Sequence, residues 1–301
     1  MSHTLRAFGT LTSFGLLAAI LAPANAAQLV LNTGAPHLCA VVQGGNTAPG
    51  TPVIAYSCKG GPEDQWTLVE GQLQGIGTAN GKSMCLDVKG NSSVPGTLVD
   101  LWPCNGGLNQ QWTIFAGSIY TSEAEAQGQL CLDSSGGPAV GGGTQLVINP
   151  CNYNPSQNWT LRGIQFELNA SAPHVCATVS GGQTANGTPV IAYSCNDDPA
   201  QILNLENDQL QGIGTENTVS KCLTASGISP GSLVTLSTCT STLLEQQAWI
   251  VDNCSLGGPY CIILADAFLC LDSSGGPSVG GGTQLVVNTC TGGASQNWAI
   301  R

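Results

Sequence analysis

Residues 35–58, APHLCAVVQGGNTAPGTPVIAYSC, return at 172–195 as APHVCATVSGGQTANGTPVIAYSC, an offset of 137 residues. LQGIGT at 73–78 returns at 210–215, and LCLDSSGGPAVGGGTQLVINPC at 130–151 returns at 269–290 with the offset now 139. Such self-similarity marks a tandem duplication, so both halves must fold alike. Within each half a shorter unit occurs three times. It is a cysteine, a second cysteine 17 to 20 positions on, and a Gln-x-Trp ending or a variant of it. The endings are Asp64-Gln65-Trp66, Gln110-Gln111-Trp112 and Gln157-Asn158-Trp159, then Gln201-Ile202-Leu203, Gln247-Ala248-Trp249 and Gln296-Asn297-Trp298.

The segment before each second cysteine alternates with period two, the mark of a half-buried strand. Val53 and Ala55, Val99 and Leu101, Leu146 and Ile148, Val190 and Ala192, Val234 and Leu236, and Leu285 and Val287 form the expected core face. Alternation sends the intervening residues the other way. The expected outward pairs are Ile54 and Tyr56, Asp100 and Trp102, Val147 and Asn149, Ile191 and Tyr193, Thr235 and Ser237, and Val286 and Asn288. Scarce charge and abundant Gly, with many Thr, Val and Ile, point to an all-β, turn-rich chain.

The N-terminus reads separately. Arg6, the short apolar run Phe14 to Ala22 and Ala24-Asn25-Ala26 have the layout of a secretory signal peptide over 1–26. No later stretch is long and apolar enough for a membrane span. Seven Lys and Arg oppose 18 Asp and Glu, a net charge of −11, which disfavours nucleic acid and anionic membranes. All 14 cysteines follow the leader, an even number that reads in a secreted chain as a disulfide framework and not a metal site. Sequence alone does not fix connectivity. The recurring interval favours Cys39–Cys58, Cys85–Cys104, Cys131–Cys151, Cys176–Cys195, Cys222–Cys239, Cys254–Cys261 and Cys270–Cys290. Nothing calls for a metal or cofactor, and nothing in the repeats specifies an oligomer.

Five of the six tryptophans belong to the repeat endings, where a ring at a fixed position is core. Trp102 is the sixth. It falls on an outward face, in the same repeat as Asp87, Asp100, Asn109 and Gln110. These are the parts a sugar site needs. An aromatic ring packs on the C–H face of a pyranose, an ionised carboxylate accepts from hydroxyls, and amides both donate and accept.

With its Gln-x-Trp endings at regular spacing, the chain resembles the ricin-B-type lectins, the Gln-x-Trp β-trefoil family. The resemblance covers nearly all of the chain after the leader. It implies two tandem β-trefoils, at 27–163 and 164–301, and a role in binding galactose-type or related glycans. In that family the Asp after the first cysteine grips the sugar diol, the aromatic is the platform, and an Asn and a Gln complete the site. Those positions here are Asp87, Trp102, Asn109 and Gln110. Asp100 stands where the family often has Gln, which bears on which sugar is preferred. The third and sixth repeats keep Asp133 and Asp272, Gln157 and Gln296, but have Asn149 and Asn288 at the platform position, making weaker candidate sites. Tyr153 is a neighbouring ring in the third. The first, fourth and fifth have Val41, Thr178 and Thr224 for the carboxylate and read as structural.

Other classes remain open: a protein-binding trefoil such as a protease inhibitor, or a module that targets a polysaccharide of the xylan type. Catalysis is not expected. His37 and His174 sit at equivalent positions, which favours a structural role. Asp87 and Asp100 as a glycosidase acid pair is the one catalytic arrangement on offer.

Overall fold

The computed structural model describes residues 26–31, 37–115, 117–121, 129–134, 143–168, 174–196, 198–213, 220–240, 245–253, 260–273 and 282–300. The expected leader, up to Asn25, and Cys254 of the Cys254–Cys261 pair lie outside them. The described strands are short and joined by tight turns, with no α-helix among the described residues.

Each repeat contributes one hairpin. In the first half these are Leu38–Val42 with Thr51–Ser57, Lys82–Val88 with Thr97–Pro103, and Leu130–Asp133 with Val147–Pro150. In the second they are Val175–Val179 with Thr188–Ser194, Lys221–Ala225 with Ser232–Thr238, and Leu269–Ser273 with Thr283–Thr289. The hairpins then pair in a ring. Thr51 faces Leu101, Leu98 faces Val147, and Thr144 returns to Ala55. The second half repeats the cycle through Thr188 with Leu236, Leu233 with Val286, and Gln284 with Ile191. A closed ring leaves no unpaired strand edge there. Each half is also closed end to end, Gln28–Leu31 on Trp159–Ile164 and Phe166–Leu168 on Trp298–Ile300. The chain is thus all-β, a β-trefoil repeated.

The two halves are joined by more than sequence. Leu161 pairs with Leu205 and Ile114 with Val251, and the Gly71 N–H donates to the Tyr260 hydroxyl. Burial of Tyr260 pushes its phenol well above the ordinary range, so it stays neutral there.

All twelve expected core-face residues are buried, none more than 1% exposed. The outward pairs divide. The position two before the cysteine does face solvent at Tyr56, Trp102 and Tyr193. The position four before it does not: Ile54, Asp100, Val147 and Val286 are buried. Alternation fixes which face a side chain takes, not whether that face meets water. Six of the expected disulfides form among the described residues, with Cα separations of 4.9 to 5.1 Å.

The five repeat-ending tryptophans are buried, and all five indoles bond alike. Each Nε1–H donates to the carbonyl of the residue after the repeat's first cysteine: Ala40, Leu86, Leu132, Leu223 and Leu271, at 2.9 to 3.0 Å. The bond lets a large ring fill the core without an orphaned donor. Trp112→Phe should therefore destabilise the protein by about 1–3 kcal/mol, because it strands the Leu86 carbonyl and leaves a small void. Trp102→Phe should change stability by less than about 0.5 kcal/mol, as surface substitutions do. Denaturant midpoints of the two variants check the contrast.

Candidate functional site

The second-repeat hairpin sets Asp87 directly opposite Asp100 and Cys85 opposite Trp102. Two short 3-10 turns, Lys89–Asn91 and Leu108–Gln110, rise beside it. Together they enclose a cleft of about 840 Å³, lined by Asp87, Asp100, Trp102 and Asn109, and by Gly50, Lys89, Gly90, Asn91, Asn105, Gly107 and Leu108. Trp102 is 44% exposed and forms one wall. Gly50, contributed by the first repeat, lies against its ring: a Cβ there would stand 3.8 Å from the indole, and φ of +84° suits glycine.

Asp87 is held by two amides. Asn109 Nδ2 donates to its Oδ2 at 2.9 Å and Gln110 Nε2 to the same oxygen at 2.7 Å. Oδ1 has no hydrogen bond among the described residues. Burial raises the Asp87 carboxyl to about 6, against the opposing effect of these two bonds. Asp100 is also pushed up to about 6, first by burial and then by the charge of Asp87, with Lys89 opposing.

Gln110 needs correcting as a site residue. It is fully buried and absent from the cleft wall. Besides Asp87, its Nε2 donates to the Pro103 carbonyl at 3.1 Å, and its Oε1 accepts from the Asn105 N–H at 2.8 Å. Gln157 and Gln296 make the same three bonds around Asp133 and Asp272. Gln201 and Gln247 make them around the Thr178 and Thr224 hydroxyls, where no carboxylate exists. This glutamine is a staple of the fold that also positions Asp87.

The weaker candidate sites differ from the first in an unexpected way. Asn149 and Asn288, aligned with Trp102, turn their amides onto the carboxylates instead: Asn149 Nδ2 donates to Asp133 Oδ2 and Asn288 Nδ2 to Asp272 Oδ2, both at 3.2 Å. They do the work of Asn109, not of a platform. Residues 135–142 and 274–281, which follow these hairpin strands in sequence, lie outside the described residues. Tyr153 is exposed and lines a separate cleft of about 340 Å³ with Ser93, Pro95, Gln129, Leu130, Pro150 and Cys151; neither Asp133 nor Gln157 lines it.

The cleft is also lined by Gly50, Lys89, Gly90, Asn91, Asn105, Gly107 and Leu108, none of them expected from the sequence. Lys89, two after Asp87, had a signal in its position; Gly50 had none, since it comes from another repeat. Glu167 lies close to the sulfurs of Cys176 and Cys195, but those are bonded to each other and are not free metal ligands.

A disulfide-stapled double trefoil with a shallow aromatic and carboxylate cleft defines a class of sugar-binding module. The model of the ricin-type β-trefoil lectin domain matches residues 27–159 and 164–298, and the chain belongs to that family. Agglutinin-1 from Abrus precatorius is 34% identical over 89 residues, 28% of this chain and 15% of that protein. Abrin-a from the same plant is 32% identical over 97 residues, 31% of this chain and 17% of that one. The matches thus span less than a fifth of these relatives. Among solved structures, the agglutinin from Abrus precatorius aligns with a TM-score of 0.38 at 20% identity, covering 92% of this chain and 96% of that one. The earthworm R-type lectin C-half, in complex with GalNAc, aligns with a TM-score of 0.36 at 16% identity, covering 45% and 97%. Among the described residues no helix is long and apolar enough to cross a membrane.

The raised carboxyls carry a sign for stability. Asp87 and Asp100 bind protons more readily folded, at about 6, than at the ordinary 3.8. Their contribution is therefore fully present below pH 3.8 and lost as pH rises through about 6. Because the two face each other, they titrate as a pair. Asp100→Asn should raise the melting temperature at pH 7 by about 2–4 °C per kcal/mol relieved, and the gain should shrink towards pH 4. Thermal melts of both proteins across that range, taken as differences so that other carboxylates cancel, check it.

Proposed function

We propose that the protein is a secreted, non-catalytic lectin that recognises galactose-type or related glycans through the second-repeat cleft. The observation that carries this reading is the pairing of an exposed Trp102 with Asp87, whose Oδ2 is fixed by two amides while Oδ1 has no partner among the described residues. A sugar ring stacked on the indole would present a hydroxyl edge to that free oxygen. Asn109, which shares the cleft wall, would take part, and Gln110 would act only by holding Asp87. Asp133 and Asp272 would be secondary, since no aromatic platform stands at Asn149 or Asn288. The binding units would be 27–163 and 164–301. The disulfide framework, and the leader read at 1–26, support an extracellular setting.

A single shallow site of this kind binds a monosaccharide on the order of millimolar, about −4 kcal/mol. Losing the platform removes an aromatic contact of about 0.5–1.5 kcal/mol and the apolar area under the sugar besides. Trp102→Ala in the full chain should therefore abolish measurable binding on a glycan array while leaving the melting temperature nearly unchanged. Undiminished binding by that variant would overturn the site assignment, and a large fall in melting temperature would show that the ring supports the fold. Precipitation of multivalent glycans, if seen, needs a second working site, because avidity requires two. Asp133→Asn with Asp272→Asn should then stop precipitation and spare monovalent binding.

A further inference from the structure

We propose that Asp100 makes the second-repeat cleft selective for sugars carrying a protonated amine, so that hexosamine units are preferred over their neutral counterparts. The inference rests on the sugar-binding reading above and adds to it the charge class of the ligand.

Asp100 is 3% exposed, yet it lines the cleft. No described residue donates a hydrogen bond to its carboxylate, and Oδ1 is buried without a partner. Burying a carboxylate is costly unless it is paired and hydrogen-bonded. The fold does not need the charge, because equivalent strands carry Val147, Ile191 and Val286 at this position. Its cross-strand neighbour makes matters worse. Asp87 is directly opposite, and like charges opposed across a strand pair repel. The raised carboxyls of both residues are consistent with an unmet demand for positive charge.

The protein itself answers that demand only weakly. Lys89 is the one basic residue among the described lining residues, and it is exposed at the rim. A sugar hydroxyl brings one donor and no charge. An ammonium brings three donors and a full charge, so it adds ion pairing to the charge-assisted bond that a hydroxyl would also make to the carboxylate. The face of Trp102 adds attraction for a cation beside it. A divalent metal fits less well: hard cations take six or more oxygens, and among the described residues no third Asp, Glu, His or Cys joins these two carboxylates.

Calorimetric titration of the full chain at pH 7 with galactose, galactosamine and N-acetylgalactosamine, and with the corresponding gluco series, tests the proposal. In at least one series the free amine should bind about tenfold tighter than the neutral sugar and the acetylated one, the gain of one charged hydrogen bond. Asp100→Asn should bring the amine down to the affinity of the neutral sugars. Lys89→Gln changes an exposed rim residue and should increase the preference, which keeps the test independent of any folding defect in the first variant. Lowering the pH to 5 should shrink the preference, because Asp100 then takes up a proton while the amine stays charged. Wild-type affinities that do not favour the amine in either series, with all binding lost in Trp102→Ala, would overturn the amine selectivity and leave the sugar site standing. No binding of any of the six sugars would overturn the site reading with it.

Discussion

One buried polar side chain organises each repeat, an amide in five of the six. That amide belongs to a glutamine two residues before the Trp position, and it ties its own loop to the backbone on either side of the second cysteine and to a side chain on the first strand of the hairpin. Its Oε1 accepts from the N–H after the second cysteine, as Asn105, Asn152, Asn196, Thr240 and Thr291. Its Nε2 donates to the carbonyl before that cysteine and to the side chain two after the first cysteine. A disulfide alone would join two strands and leave the loop beyond them free. The glutamine fixes that loop, and the indole bond two residues on fixes the strand that follows. The first repeat shows the same logic by exception. Asp64 replaces the glutamine and only accepts, from the Lys59 and Gly60 N–H groups at 2.7 and 2.9 Å. Its counterpart two after the cysteine is Val41, which needs no donor.

The staple explains where binding chemistry arises. The donor of the glutamine asks only for an oxygen opposite it. A threonine hydroxyl serves at Thr178 and Thr224, and a carboxylate serves at Asp87, Asp133 and Asp272. Only the carboxylate has a second oxygen to offer to a ligand. The charge is tolerated because two amides share its burden, Asn109 with Gln110 in the second repeat and the aligned Asn149 or Asn288 with its glutamine elsewhere.

The fold was legible because it is repeated. Twelve alternating core residues, six disulfides and five buried tryptophans each follow from a pattern seen several times, so chance matches cancel. The site was legible in part. Asp87 and Trp102 stood out as departures from the repeat, and both line the cleft. Gln110 misled, since its residue type suits a sugar contact while its position, common to all glutamine repeats, was the better guide. Asp100 misled in the other direction. Period-two alternation puts it on the outer face, yet it is buried at the base of a cleft whose lining also comes from the first repeat, through Gly50, and from the turn at Leu108. Asn149 shows a third limit: alignment gives a residue its place and not the direction of its side chain.

Binding is therefore an option that the fold permits in every repeat and requires in none. Exchanging Asp for Thr at the staple keeps the donor of the glutamine satisfied and removes a buried charge, so loss of a site need not weaken the trefoil. The reverse exchange adds a desolvation cost that only a ligand or a second amide offsets. Threonine stands at this position in the fourth and fifth repeats, and the glutamine staple is made there all the same. The second repeat sets two carboxylates face to face, Asp87 and Asp100, where its neighbours pair Val41 with Ile54 and Asp133 with Val147. Such a pair, which the five equivalent repeats do without, carries a desolvation and repulsion cost that, on the proposed reading, a ligand offsets.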